Sequence, residues 1–245
     1  MTTLLISTRN AHKVGEIRAI LGPQFQFLTL NDFPAAPKVV EDSATFAGNA
    51  LKKAVELARW LKGKHSTFNI QHSTSSDRPP SPDFVLADDS GLEVDALNGA
   101  PGVHSARFAA LDGSADGSSA SSTGNSPDAD NNTKLLRLLK DVPLEKRTAR
   151  FRCVIALVPA PQSRAENSSP VCYAGEFEVQ TFDGACEGRI QFAPRGQGGF
   201  GYDPLFVPDG FAESFAELGE DVKNQLSHRA RALAKLKKFF NAWSP

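Results

Sequence analysis

The first 21 residues place a short apolar run directly before a helical repeat of apolar residues. An uninterrupted Leu-Leu-Ile segment lies within residues 2–7, as is typical of a short buried strand. Val14, Ile17 and Leu21 then recur at helical spacing until Gly22-Pro23 stops the pattern. The sequence therefore predicts a strand, a loop and a helix in succession.

The rest of the chain continues this alternation and then changes to strands. Apolar residues at helical spacing predict a second helix over 46–62, capped by Thr45 or Ser43 and followed by Gly63. The other predicted elements are a strand over 84–87, a helix at 135–139, strands over 148–158 and 171–182, and a last amphipathic helix over 227–243.

Three stretches rich in Ser, Pro, Asp, Asn or Gly interrupt this order, at 64–83, 112–130 and 160–170. They carry too little apolar surface to offset the entropy lost when a chain becomes ordered. We therefore expect them to be mobile surface insertions within a single domain that spans residues 1–245.

Charge and cysteine content exclude several classes of protein. The formal net charge of -1 provides no basic field of the kind that long nucleic acid requires. The first apolar run is too short for a signal peptide or a membrane span, so we expect a cytoplasmic protein without membrane contact. Three cysteines without a CxxC pair predict neither a disulfide framework nor a zinc site: Cys153, Cys172 and Cys186.

The loop between the first strand and the first helix is a candidate phosphate site. Backbone N–H groups at a helix N-terminus, together with Thr8 and Lys13, would form a cradle for phosphate oxygens. The alternative is that Asn10 caps the helix and Lys13 is a solvated helix residue. The loop matches neither a Walker A loop nor the dinucleotide fingerprint.

Two adjacent carboxylates, Asp88 and Asp89, follow the apolar run at 84–87. A carboxylate at the end of a buried strand can hold a magnesium ion bound to phosphate, or accept a proton from an attacking water. Adjacent strand residues point to opposite faces, so one of the two would face a ligand and the other would support it. The alternative is a solvated turn in which Asp88 caps a backbone N–H.

A glycine-rich segment over 195–204 carries two aromatic rings, Phe200 and Tyr202. Its four glycines let the backbone approach a ligand closely, and the rings offer flat surfaces for a base. Asp203 would then accept a hydrogen bond from a purine ring N–H. The alternative is a glycine-rich hairpin whose rings anchor it to the core.

The last candidate segment lies at the head of the final helix. Ser227 fits an N-cap, whereas His228 and Arg229 in the first turn oppose the helix dipole, which favours anions at that end. Either side chain could donate to the 6-oxo group of a base or to phosphate. The alternative is a cationic surface patch.

Taken in order along the chain, these segments resemble the inosine/xanthosine triphosphate pyrophosphatases, or Ham1-like family. The resemblance covers most of the sequence outside the three insertions. The matching motifs are Thr8, Asn10 and Lys13, the segments 87–92, 99–102, 105–107 and 198–204, and Lys223-Asn224 with 227–229.

The resemblance implies an α/β fold with a long central mixed β-sheet flanked by helices, and two lobes with a nucleotide cleft between them. It further implies a homodimer that uses Mg²⁺. The implied activity is hydrolysis of non-canonical purine nucleoside triphosphates (ITP, dITP, XTP) to the monophosphate and pyrophosphate. The alternatives are a non-hydrolysing purine nucleotide sensor and a related pyrophosphatase of pyrimidine or modified nucleotides.

The resemblance also implies a role for each site residue. Asp89 would be the proton acceptor and the Mg²⁺ contact, and Ser90 a substrate contact. The implied substrate-binding residues are Thr8, Arg9, Asn10, Ala11, His12 and Lys13 for phosphate, Phe200, Gly201, Tyr202 and Asp203 for the base, Lys223 for the nucleotide, and His228 and Arg229 for the 6-oxo group.

One position departs from the family pattern. Many members carry a metal-binding glutamate where Gly48 stands. Either Glu41, Asp42 or Asp88 therefore compensates through water, or magnesium binds more weakly. Lys53 is a further, weaker candidate for a phosphate contact.

Overall fold

The computed structural model describes residues 1–68, 81–111, 124–160 and 177–242. Within these ranges six strands form one sheet in the order β2-β1-β3-β4-β5-β6. β1 pairs in parallel with β2 and β3, whereas β5 and β6 pair antiparallel, so the sheet is mixed as expected. The strands are β1 (Thr2–Ile6), β2 (Phe25–Thr29), β3 (Phe84–Val94), β4 (Thr148–Pro159), β5 (Gln180–Ile190) and β6 (Phe206–Pro208).

The helices flank this sheet in the sequence order expected of an α/β fold, and the predicted fold class is confirmed. Their ends follow from local capping: Asn10 accepts a hydrogen bond from the Lys13 N–H, and Gly22 ends the first helix with φ 83°. Thr45 caps the second helix through the Gly48 N–H at 3.0 Å. The helices are α1 (Ala11–Leu21), α2 (Phe46–Phe68), α3 (Asp128–Leu138), α4 (Phe215–Leu226) and α5 (His228–Ala242).

Several predicted boundaries were wrong, including that of α3, which begins at Asp128 rather than at 135. β3 does not end at residue 87 but continues through Asp88 and Asp89 to Val94. α2 continues through Gly63 to Phe68, because glycine inside a helix costs only about 1 kcal/mol. β5 begins at Gln180 rather than at 171, and residues 171–176 lie outside the described part of the chain.

The predicted insertions fall mostly outside the described residues. At their described edges, residues 64–68 continue α2 and residues 128–130 begin α3. Cys153 and Cys186 are buried and form no disulfide within the described residues, whereas Cys172 lies outside the described ranges. None of the described helices combines the length and the apolar character needed to cross a membrane.

The chain divides into two compact units by backbone packing. The first comprises Met1–Asp89, Val154–Phe182 and Leu233–Pro245. Its core contains the fully buried residues 4–6 of β1. The Phe240 ring of α5 packs edge-on, 5.2 Å from the Phe25 ring and 5.3 Å from the Phe84 ring.

The second unit comprises Ser90–Cys153 and Asp183–Ala232. Its core is an aromatic cluster in which the Phe206 ring lies 4.8 Å from Phe151 and 5.2 Å from Phe215. Tyr202 is buried in the same cluster. The glycine-rich segment is therefore anchored to this core through one of its two rings.

Candidate active site

The two adjacent carboxylates of β3 take different partners. Asp88 Oδ1 lies 2.5 Å from Lys13 Nζ of α1, and Asp89 Oδ1 lies 3.0 Å from Lys53 Nζ of α2. Asp88 is 2% exposed and Asp89 5%. Because both are strand residues, their side chains alternate as predicted, and each buried charge is paired with an ammonium group.

One face of α2 supplies two polar groups to Asp89. Lys53 Nζ also donates to the Asp88 carbonyl at 2.7 Å, and Asn49 Nδ2 donates to Asp89 Oδ2 at 3.3 Å. Asn49 and Lys53 are four residues apart, so they lie one above the other on the helix. Asp89 is thus held at both carboxylate oxygens by groups from a single helix.

A second carboxylate, Glu41, reaches the same place from the segment before α2. Its Oε2 lies 3.4 Å from Lys53 Nζ, and its carboxyl lies close enough to that of Asp89 for each to affect the pKa of the other. Lys53 therefore sits beside two acidic groups. Of the three residues considered as substitutes for the glutamate missing at Gly48, Glu41 is the one in contact with Asp89.

Burial and the neighbouring charges set the protonation of this cluster. Burial raises the pKa of Asp89 to about 6, and the ammonium groups of Lys53 and Lys13 only partly oppose it. Burial alone would also raise the pKa of Glu41, but Lys53, the hydrogen bond with Asp89 and Lys13 together hold it below its usual value. Glu41 is therefore the more acidic of the two carboxyl groups.

Lys53 remains cationic despite its burial. Desolvation lowers the pKa of its ammonium group, but the charges of Asp89, Glu41 and Asp88 outweigh it and raise that pKa above the usual value. A buried cation with this environment is suited to stabilising negative charge on a ligand.

The carboxylates fit a divalent cation that also binds substrate. Mg²⁺ is usually bound by one or two carboxylates together with phosphate oxygens and water, and Glu41 and Asp89 provide such a pair. Asp88 is engaged by Lys13, and Asp42 pairs with Lys52 at 2.7 Å. Across the described residues no group of three or more His, Cys, Asp or Glu side chains could hold a metal ion alone.

The predicted phosphate loop is ordered by its own side chains. Thr8 Oγ1 accepts from the Asn10 N–H at 3.1 Å, and Asn10 Oδ1 accepts from the Lys13 N–H at 3.1 Å. Arg9 Nη2 donates to the Ala36 carbonyl at 3.4 Å. Asn10 therefore caps α1, and residues at the N-terminal end of this helix are exposed to solvent. The exposed residues at this end are Arg9, Ala11 and His12.

The helix turn at Gly48 explains why this chain carries glycine there. A Cβ placed on Gly48 would lie 2.0 Å from Ser43 Oγ and 2.8 Å from Ser43 Cβ. Ser43 is fixed by its N–H, which donates to Asn49 Oδ1 at 2.9 Å. A glutamate at position 48 would therefore require the segment that carries Glu41 to move.

Gly48→Ala should destabilise the protein by about 1 kcal/mol or more, because the added methyl group overlaps Ser43. The matched control is Gly63→Ala in the same helix, where a Cβ would meet nothing within 4 Å. That control should stabilise by up to about 1 kcal/mol through helix propensity. Urea unfolding measures both, and a Gly48→Ala protein at least as stable as wild type would contradict the proposed overlap.

In the second unit, the glycine-rich segment is closed by a buried ion pair. Asp203 Oδ2 accepts from the Phe200 N–H at 2.8 Å and from Lys223 Nζ at 2.5 Å. Lys223 is 3% exposed, and its Nζ lies 4.5 Å from the centroid of the Phe200 ring. The ion pair of Lys223 and Asp203 therefore holds the segment that carries Phe200.

The two rings of this segment have different surroundings. Tyr202 is 3% exposed and donates its hydroxyl to the Ser105 carbonyl at 2.9 Å, whereas Phe200 is half-buried. Burial raises the pKa of the Tyr202 hydroxyl, which keeps it a neutral donor. The ring that can offer a face to a base is that of Phe200.

The head of α5 is buried and polar. Ser227 Oγ accepts from the Ala230 N–H at 3.2 Å, as expected of an N-cap. Arg229, 1% exposed, donates from Nη2 to Ser90 Oγ at 2.9 Å, and the His228 ring stacks on Phe151 at 4.8 Å. The alternative of a cationic surface patch is wrong, because the side chains of His228 and Arg229 are both buried.

Comparison with known proteins decides the family. The model of the Ham1 family matches residues 4–239. The chain belongs to the Ham1 family. A dITP/XTP pyrophosphatase of Geobacter sulfurreducens is 44% identical over 238 residues, covering 97% of this chain and 96% of the relative. One of Desulforamulus reducens is 40% identical over 239 residues, covering 97% and 95%.

Solved Ham1 structures share the fold. A HAM1 protein from Coxiella burnetii superposes with a TM-score of 0.70 at 30% identity, covering 99% of this chain and 100% of that one. The Ham1 protein of Staphylococcus aureus gives a TM-score of 0.69 at 29% identity, covering 98% of each chain.

Two residues of this chain that contact the carboxylates are not among the main site residues predicted from the sequence. Asn49 received no role, and Lys53 was a secondary phosphate candidate. Their signal was present in the sequence: polar residues at positions 49 and 53 interrupt an otherwise apolar helix face. A buried polar pair at such spacing indicates a partner on the adjacent strand.

Proposed function

We propose that this Ham1-family protein hydrolyses non-canonical purine nucleoside triphosphates, namely ITP, dITP and XTP, to the monophosphate and pyrophosphate. The names of the curated relatives, dITP/XTP pyrophosphatases, support this substrate class. The observation that carries the chemistry is the buried Asp89 carboxyl, which is paired with Lys53 beside the carboxyl of Glu41. Such a group can move a proton and face a polyphosphate at the same time.

Mg²⁺ is the metal we propose for this site, with Glu41 and Asp89 as the residues that hold it. The ion would neutralise charge on the phosphate chain. The two carboxylates are nearly balanced by the two nearby ammonium groups, so the site carries little net charge by itself. A divalent cation would therefore bind there together with an anionic substrate.

The residues of the first unit then perform the hydrolysis. Asp89 accepts a proton from the water that attacks the α-phosphorus, and pyrophosphate leaves. Lys53 and Lys13 offset the negative charge that develops on the phosphate oxygens. The loop over residues 8–13 binds the outer phosphates through its backbone N–H groups.

The residues of the second unit recognise the base. Phe200 stacks on the purine, while Lys223 and Asp203 fix the segment that carries this ring. Arg229 and His228 donate to the 6-oxo group. Adenine has an amino group at that position, so a site built from donors discriminates against it.

A pyrophosphate-release assay with Mg²⁺ tests the proposed function. ITP and XTP should be hydrolysed with kcat/KM at least about a hundredfold above that for ATP, since a mispaired polar group at the base costs several kcal/mol. Tight binding of ITP without product would favour a nucleotide sensor. A higher rate with pyrimidine triphosphates would favour a pyrophosphatase of another substrate class.

The homodimer and the cytoplasmic location are further parts of the proposal. The homodimer follows from the family resemblance, and the location is the expectation drawn from the sequence. Light scattering coupled to size exclusion would give the oligomeric state, with a mass near twice 26.3 kDa expected for the dimer.

A further inference from the structure

Helix α3 holds one residue of the glycine-rich segment through both of its backbone polar groups. Asp128 Oδ2 accepts from the Gly201 N–H at 2.6 Å, and Asn132 Nδ2 donates to the Gly201 carbonyl at 3.0 Å. Asp128 and Asn132 are four residues apart, so they lie on the same face of α3. Together they engage both backbone polar groups of Gly201.

The residue they hold joins the two rings of the segment. Gly201 has φ 63°, a conformation that favours glycine, and it lies between Phe200 and Tyr202. Tyr202 is fixed by the core and by its hydrogen bond to Ser105. The orientation of the Phe200 side chain therefore depends on the backbone conformation at Gly201.

Packing alone does not support this part of the segment. Phe200 and Gly201 line a cavity of about 410 Å³, together with Asp128, Asn132 and Gln197. An open space beside the peptide leaves few van der Waals contacts on that side. On that side the two hydrogen bonds from α3 restrain Gly201, in addition to the Asp203 side chain that accepts from the Phe200 N–H.

We propose that Asp128 and Asn132 are positioning residues for base recognition. They hold the backbone N–H and carbonyl of Gly201 so that the Phe200 ring is oriented for stacking on the purine. The inference deepens the proposed function, because it depends on Phe200 being the ring that contacts the base. Neither residue is placed in contact with substrate.

Binding of two partial ligands separates this role from a general structural one. Inosine monophosphate carries the base, and pyrophosphate carries only phosphate. In Asp128→Ala and Asn132→Leu, the Kd for inosine monophosphate should rise about tenfold, the equivalent of one lost hydrogen bond. The Kd for pyrophosphate with Mg²⁺ should stay within twofold of wild type, as measured by calorimetry.

Matched variants make the test specific. Asp128→Asn keeps an oxygen acceptor for the Gly201 N–H and should restore the affinity for inosine monophosphate. Asp130→Ala removes an exposed carboxylate from the same helix turn, with the same effect on the helix dipole, and should leave both affinities unchanged. Melting temperatures are recorded for every variant.

The outcomes are distinct. An unchanged Kd for inosine monophosphate in Asp128→Ala and Asn132→Leu, or equal weakening of both ligands, would overturn the positioning role. Because these readouts are binding constants, they do not require turnover. Failure of wild type to release pyrophosphate from ITP would overturn the proposed function instead.

Discussion

Asp89→Asn should reduce turnover of ITP by about a hundredfold or more, the usual contribution of a general base. Asparagine keeps the shape of the side chain and one acceptor oxygen, so Asn49 can still donate a hydrogen bond to residue 89. What is lost is the group that takes the proton. Initial rates at saturating Mg²⁺ measure the effect, with exposed Asp141→Asn as the control.

The same substitution should leave folding intact, and the sign of the linkage supports this. The pKa of Asp89 is about 6 in the folded chain and about 4 when unfolded. The folded state thus binds the proton more tightly, and this carboxyl's contribution to stability is lost as pH rises from about 4 to about 6. Asparagine escapes that loss, and Lys53 keeps Glu41 Oε2 at 3.4 Å as its ionised partner, so at pH 7.5 the melting temperature should stay close to that of wild type.

An Asp89→Asn protein with activity within a few fold of wild type would refute the general-base role. A protein that is inactive because it is unfolded would show a lower melting temperature and a changed circular dichroism spectrum. The two measurements together therefore distinguish lost chemistry from lost structure.

Lys53→Met should destabilise the protein by about 3 kcal/mol or more, because removing one member of a buried ion pair leaves the other charge uncompensated. The side chains of Lys53 and Asp89 are only 10% and 7% exposed. Glu41 loses its cationic neighbour in the same step. Urea unfolding at pH 7.5 measures the change, and turnover should fall as well because Asp89 becomes harder to ionise.

The neighbouring residue provides the control. Lys52 pairs with Asp42, but their side chains are 31% and 65% exposed. Exposed ion pairs contribute about 0–1 kcal/mol, so Lys52→Met should change stability by no more than that. Equal effects at positions 52 and 53 would show that the ion pair with Asp89 does not stabilise the fold.

Sequence patterns predicted the elements whose boundaries are set by local chemistry. The end of α1 at Gly22 and the caps at Thr45 and Ser227 follow from residue type alone. The end of β3 did not, because Asp88 and Asp89 look like residues of a solvated turn. They are buried inside a strand since lysines from two helices neutralise them, and such long-range pairing is not visible in local sequence.

In the candidate site, too, local sequence predicts some features, whereas long-range contacts determine others. Strand alternation predicted different surroundings for Asp88 and Asp89, and the two carboxylates do pair with different lysines. Glu41 lies near Asp89 in a segment whose Ser43 closely approaches Gly48, and no spacing in the sequence reveals either approach. Likewise, the burial of Tyr202 follows from the core of its unit, so its ring could not be told apart from that of Phe200 in advance.

The position of water attack tests the central claim most directly. A single turnover of ITP in H₂¹⁸O, followed by mass spectrometry of both products, locates the new oxygen. Attack at the α-phosphorus puts one ¹⁸O in inosine monophosphate and none in pyrophosphate. Label in pyrophosphate, or release of inosine diphosphate and orthophosphate, would contradict the mechanism.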